Sequence, residues 1–147
     1  MSSQSTLAPR VHAAEQSLGA AGYRLTRPRR ELLRAIAAMP DHFTPDELIH
    51  AVGPAVGRAT VFRTIRMLTE RDLLCRVRLE DGTLAYRWSG AGHHHHLVCV
   101  SCGRVDDLQG CDIDSDLARL AAASGFAVDG HWLEVYGRCA DCRAREA

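Results

Sequence analysis

GRATVFRTIRMLTERDLLCRVRLEDGTLAYRW, residues 57–88, changes its periodicity midway. At first Val61, Ile65 and Leu68 recur at helical spacing, which predicts an amphipathic helix over 57–74. Arg58, Thr60, Phe62, Arg63 and Arg66 crowd the first half of its other face. After the helix, a pair of short strand-like runs flanks Asp81-Gly82, a dipeptide suited to a tight hairpin turn. A helix that runs straight into a hairpin, behind other helices, is the ground plan of a winged helix.

The preceding residues supply those other helices. Residues 1–9 read as a Ser-rich tail and 10–21 as a helix with Val11, Ala14 and Leu18 on one face, capped by Gly22. In the next, Thr26 is the N-cap, Pro28 lies in the first turn, Pro40 ends the run, and Leu32, Leu33, Ile36 and Ala37 form the buried stripe. FTPDELIHAVG, 43–53, carries a capping box: Thr44 is the N-cap, Pro45 is N1 and Glu47 is N3, with Phe43 and Leu48 placed as a hydrophobic staple.

SGAG, 89–92, is a run of small residues and reads as a hinge. It separates a winged-helix DNA-binding domain, 1–88, from a metal-binding dimerisation domain, 93–147. The second domain reads as strand 94–100, a turn at Gly103, strand 104–109, helix 114–124 and strand 126–136, followed by a short tail. The fold class expected is therefore α+β: an N-terminal winged helix plus a small C-terminal α/β unit. A sheet edge left open on so small a unit invites pairing with a second copy.

The chain has 147 residues, 46% of them apolar, enough to build a core. Residues 1–90 carry thirteen Arg against nine acids, and residues 91–147 five Arg against nine, with no Lys anywhere. The total of zero thus divides into a basic front half, suited to nucleic acid, and an acidic back half, suited to cations. No stretch has the length of a membrane span or the pattern of a signal peptide, so the expected location is the cytoplasm, with no membrane partner.

Four of the six cysteines form two Cys-x-x-C pairs, Cys99/Cys102 and Cys139/Cys142. In a chain without secretion signals this favours structural zinc over disulfides, because a two-residue gap lets both thiolates reach one tetrahedral Zn²⁺. The 36 residues between the pairs must fold into a unit whose ends the metal joins. Cys111 reads as structural or as a spare thiol.

Four histidines, 93–96, precede the first pair. Successive side chains of a strand point to opposite faces, so His93 and His95 go one way and His94 and His96 the other. One strand then offers two His-x-His claws, each suited to zinc or another borderline metal. The first can recruit His131 and an acid from Asp112, Asp114 or Asp116. The second faces the hinge, where His42 and Cys75 are candidates. A site spanning two domains would make their relative orientation depend on metal.

On the helix of 57–74, Thr60 and Arg63 share a face. An Arg near a helix start can read guanine bidentately, and Phe62 can meet a thymine methyl or the sugar edge. Arg58 belongs to the same cluster, and Arg24, Arg27, Arg29 and Arg30 read as phosphate or minor-groove contacts to double-stranded DNA. The alternative is a solvated helix face in which these arginines pair with Glu31 and Glu70.

Taken together, GYRLTRPR, HFTPDEL, GRATVFRTIRML, DG-x-x-x-YR, HHHHLVCVSCG, HWLEVYGRC and C-x-x-C resemble the ferric uptake regulator family, over residues 10 to 143. The resemblance implies a homodimeric winged-helix repressor that binds inverted-repeat operator DNA when metal-loaded. It implies structural zinc on Cys99, Cys102, Cys139 and Cys142, and an interdomain sensing site on His94 and His96 with His42. A further site would use His93, His95, Asp114 and His131. The four-His run looks like the zinc uptake regulator branch, with Cys75 as a soft ligand of the sensing site. The pattern departs in three places: Trp88-Ser89 stands at the hinge where zinc members carry a Cys, Arg87 where iron members carry a Glu, and Phe62 where the family usually has Tyr.

The expected function is a zinc-responsive repressor of metal-uptake genes, not an enzyme, with no small-molecule substrate. Its alternatives are an iron (Fe²⁺), manganese (Mn²⁺) or peroxide sensor of the same family, a zinc hydrolase using His131, Glu134 and Asp114, and a zinc-storage module.

Overall fold

The structure, a computed structural model, describes residues 7–89, 93–110 and 112–146. Cys111 and most of the expected hinge, 90–92, lie outside the described residues, as does most of the expected tail, 1–6. The chain divides into two units, Met1–Val77 with Leu84–Ser89, and Arg78–Thr83 with Gly90–Ala147.

The first unit opens with α1 (Leu7–Ala20), which buries Ala14 and Leu18. Helix α2 (Arg27–Ala38) starts after Thr26, whose extended backbone caps it without a side-chain bond, and buries Leu32, Leu33, Ile36 and Ala37. The capping box of α3 (Pro45–Val52) is present in full: Thr44 Oγ1 accepts from the Glu47 amide at 3.2 Å, and the Thr44 amide donates to Glu47 Oε2 at 2.6 Å. Phe43 and Leu48 are both buried in the core.

Helix α4 (Arg58–Glu70) buries Val61, Thr64, Ile65, Met67 and Leu68. It stops four residues short of the expected end. Asp72 takes a left-handed backbone (φ 55°), and the Leu73 amide returns to the Leu68 carbonyl, closing the helix before the chain extends. Strands β1 (Leu74–Arg78) and β2 (Leu84–Trp88) follow, joined by a turn in which Gly82 has φ 84° and the Thr83 amide donates to Asp81 Oδ1 at 2.8 Å. Residue Phe43 adds a third, one-residue strand: it exchanges both backbone bonds with Tyr86 at 2.8 Å. That bridge fixes the loop carrying Asp41 and His42 against β2, where Asp41 pairs with Arg87 at 2.9 Å. Helices, hairpin and bridge together make a winged helix.

In the second unit β3 (His94–Cys99) is the central strand of three, between β4 (Val105–Gln109) and β5 (Glu134–Gly137). The β3–β4 pair is antiparallel with His96 opposite Asp107, and the β3–β5 pair is parallel with His96 opposite Glu134. Helices α5 (Asp114–Ala123) and α6 (Ala140–Glu146) complete it. Two expectations are corrected here. The strand predicted over 126–136 contracts to Glu134–Gly137, since only those residues pair with β3, and the predicted tail contains α6. Few apolar groups are enclosed: α5 buries none of its residues, and Leu120, Phe126 and Trp132 are 62%, 71% and 51% exposed. Among the described residues no helix is long and apolar enough to cross a membrane.

Candidate metal centres and nucleic-acid face

Cys99 closes β3, and Cys102 follows in a tight turn made possible by Gly103 (φ 74°), whose amide donates to the Cys99 carbonyl. Cys139 and Cys142 stand at the start of α6. All four sulfurs lie within 4.8 Å of one another, and those of Cys102 and Cys139 are 3.8 Å apart. A tetrahedral ion with Zn–S bonds of about 2.3 Å sets its sulfurs about 3.8 Å apart, so the cage fits zinc. The four are free thiols. Backbone amides prepare one of them as a ligand: N–H groups of Cys139 and Cys102 bring the Cys99 thiol down to about 6. Hydrogen bonds with Cys139 and Cys102 and burial push Cys142 up to about 12. Four thiols this close cannot all ionise unless a cation compensates them.

The histidine run divides by strand parity, as its alternation predicts. On one face, the Nε2 atoms of His93, His95 and His131 form a triangle with sides of 3.2, 3.3 and 3.1 Å. Three nitrogens on a tetrahedral zinc at about 2.0–2.1 Å would be about 3.3 Å apart, so these three also fit one ion. Burial, then the neighbouring His93 and His131, hold the His95 pKa below its usual value, which keeps it neutral as a ligand must be. Asp114 is brought to the triad from behind. Its Oδ1 lies 3.0 Å from His131 Nδ1, the nitrogen turned away from the other two rings. Asp112 and Asp116 are not brought to this cluster; Asp116 pairs with Arg119 at 2.9 Å.

On the opposite face stand His94 and His96, ring centroids 5.2 Å apart, with a ligand atom of each within 4.8 Å of the other. His96 is buried, and its Nδ1 faces Glu134 Oε1 at 4.0 Å. Glu134, considered from sequence only as a hydrolase acid or base, is thus the residue that sequence reasoning missed here. Its signal lies in the parallel register of β5 on β3, which no local pattern reports. Cys75 and His42 belong to the first unit. Cys75 Sγ lies 3.7 Å from the Arg87 carbonyl. His42 is half-buried, and its Nδ1 is fully enclosed without a hydrogen-bond partner among the described residues, a donor atom that burial makes costly to leave unused.

On α4, Arg63 is exposed, and no carboxylate among the described residues pairs with it; Phe62 beside it is 47% exposed. Thr60 is half-buried at the helix start. Arg58 is already engaged: its guanidinium lies 3.3 Å from Asp46 and 5.8 Å from the Phe62 ring centre. Arg24 is exposed in the loop before α2, its carbonyl accepting from Arg29. Arg27 and Arg66 pair with Glu31 and Glu70 at 3.0 and 2.7 Å, so those two do form a solvated helix face.

The model of the ferric uptake regulator family matches residues 20–136. The ferric uptake regulation protein of Bacillus subtilis is 32% identical over 145 residues, covering 93% of this chain and 97% of its own. A structure of a zinc uptake regulator complexed with zinc and DNA aligns over 99% of this chain and 98% of its own, with a TM-score of 0.77 and 25% identity. The holo form of a protein designated XcZur aligns over 91% and 96%, with a TM-score of 0.73 and 31% identity.

Proposed function

Because the chain belongs to the ferric uptake regulator family, we propose that it is a zinc-responsive transcriptional repressor, binding operator DNA as a metal-loaded homodimer and controlling metal-uptake genes from the cytoplasm. The observation that carries this reading is the division of one histidine run into two separate donor sets, distinct from the four-cysteine cage. A storage module needs no such separation, whereas a regulator needs one site to build the fold and another to report.

In this reading Cys99, Cys102, Cys139 and Cys142 hold a structural zinc. His93, His95 and His131 hold an additional ion, with Asp114 orienting His131 from behind. His94 and His96 supply half of the sensing site, and Cys75 and His42 supply the other half from the winged helix. Zinc contributes a compact divalent charge that accepts both thiolate and imidazole, and a thiolate in the set favours it over iron or manganese. Ligands drawn from two units make their mutual orientation depend on occupancy. Two winged helices held at a fixed separation can then meet two operator half-sites, with Arg63, Phe62, Thr60 and Arg58 of α4 entering the groove and Arg24 on the backbone. The exposed apolar residues of the second unit support a second copy as the partner.

The test is DNA affinity in metal-buffered solution, using the fragment upstream of this chain's own gene. A sharp gain with free Zn²⁺ alone supports the reading. A gain with Fe²⁺ or Mn²⁺ instead would support a different sensor of the same family, which the likeness to ferric uptake regulation proteins favours. No gain with any metal would remove the sensor.

A further inference from the structure

We propose that Glu134 is a positioning residue that joins the sensing histidine His96 to the hairpin, so that metal held by His96 is registered at the peptide group of Arg78. This rests on the reading of His94 and His96 as sensing ligands.

Glu134 opens β5 directly beside His96, and its side chain is only 10% exposed. A carboxylate so enclosed requires compensation. Three groups converge on the same oxygen, Oε1: the Trp132 indole N–H, the Arg78 amide at 3.2 Å, and His96 Nδ1 at 4.0 Å. The Arg78 carbonyl in turn accepts from the Tyr136 hydroxyl at 2.8 Å. Both polar backbone groups of Arg78 are therefore held by β5, from residues 134 and 136, which share a face of that strand. Arg78 is the last residue of β1, so whatever fixes it fixes the base of the hairpin turn.

The chemistry gives this arrangement a direction. A histidine that ligates through one nitrogen carries its proton on the other, and a carboxylate facing that second nitrogen selects the tautomer and raises the basicity of the first. Were His96 to hold a cation through Nε2, its Nδ1–H would be more polar and more strongly drawn to Glu134. A carboxylate held from the histidine side has fewer positions open to it. The Arg78 amide, bonded to the same oxygen, opens less often.

Amide hydrogen exchange at Arg78 tests this in the full chain, first with one equivalent of Zn²⁺ to fill the cysteine cage and then with increasing Zn²⁺. Zinc should slow Arg78 exchange about tenfold in the wild-type protein. Glu134→Ala should remove the slowing and weaken zinc binding at His94 and His96 about tenfold or more in competition with a chelator, the usual effect of losing such a partner. Glu134→Gln keeps a carbonyl acceptor but loses the charge, and should fall between the wild type and Glu134→Ala in both effects. His94→Ala should remove the slowing with Glu134 intact. Zinc binding by the wild type that leaves Arg78 exchange unchanged would overturn the proposal, and this measurement needs no variant to fold. Equal loss of zinc affinity in Glu134→Gln and Glu134→Ala would make Glu134 a direct ligand and also overturn it. If instead His94→Ala bound zinc and slowed Arg78 as the wild type does, the sensing-site reading itself would fail.

Discussion

Asp114 Oδ1 lies 3.0 Å from His131 Nδ1, while Nε2 of the same ring is 3.1 Å from that of His95 and 3.3 Å from that of His93. The carboxylate at the start of α5 thereby selects the tautomer that turns Nε2 toward the other two rings. Asp114→Ala should let His131 populate both tautomers, seen in its ring-nitrogen shifts, and weaken metal binding at the triad by about 10–100-fold. A single unchanged tautomer in the variant would refute the assignment.

The cysteine cage should behave as folding energy. Cys99→Ser should lose one equivalent of zinc and unfold the second unit, while the α2–α4 core, which shares no residue with the cage, keeps its amide signals. Chelation of the wild type should do the same. Retention of a folded second unit after complete zinc removal would argue against a structural role.

The hairpin turn should weaken in acid. Backbone and side-chain hydrogen bonds from Thr83 lower the Asp81 pKa from its usual 3.8. A lowered pKa means that the folded turn binds the proton less well than the unfolded chain. Asp81 therefore contributes stability that is present above about 3.8 and lost as pH falls through the folded value. The Thr83 amide shift should titrate below 3.8, and Asp81→Asn should flatten that titration. A midpoint at or above 3.8 would contradict the assignment.

Arg63 and Arg58 should separate on DNA. With no carboxylate to release among the described residues, Arg63→Ala should cost about 1–3 kcal/mol in discrimination if the side chain reads a base. If it meets a phosphate, the same change should lower the salt slope by about one unit equally on all sequences. Arg58 must first leave Asp46, so Asp46→Ala should tighten binding. An Arg63→Ala protein with unchanged affinity and salt slope would remove α4 from the interface as drawn.

Much of the first unit was legible because its signals are local. The Thr44–Glu47 box, the Thr26 cap with Pro28, and the stripe Leu32, Leu33, Ile36 and Ala37 each declare themselves within one or two turns of helix. The parity of residues 93–96 was legible for the same reason, since alternation is a rule of the strand alone. What was not legible is non-local. The Phe43–Tyr86 bridge joins residues 43 positions apart by backbone bonds that carry no side-chain signature. The contraction of β5 reflects where a partner strand exists, and the place of Glu134 beside His96 depends on parallel register. The end of α4 turned on one left-handed residue, Asp72, that propensity does not identify.

The thin interior of the second unit has a consequence for how this protein persists. With α5 burying nothing and Phe126, Leu120 and Trp132 open to water, that half leaves apolar surface that the proposed second copy would cover. Its melting temperature should therefore rise with protein concentration, by mass action. Dilution would erode the fold as well as the occupancy of an operator, so abundance itself would help to decide how long each molecule survives.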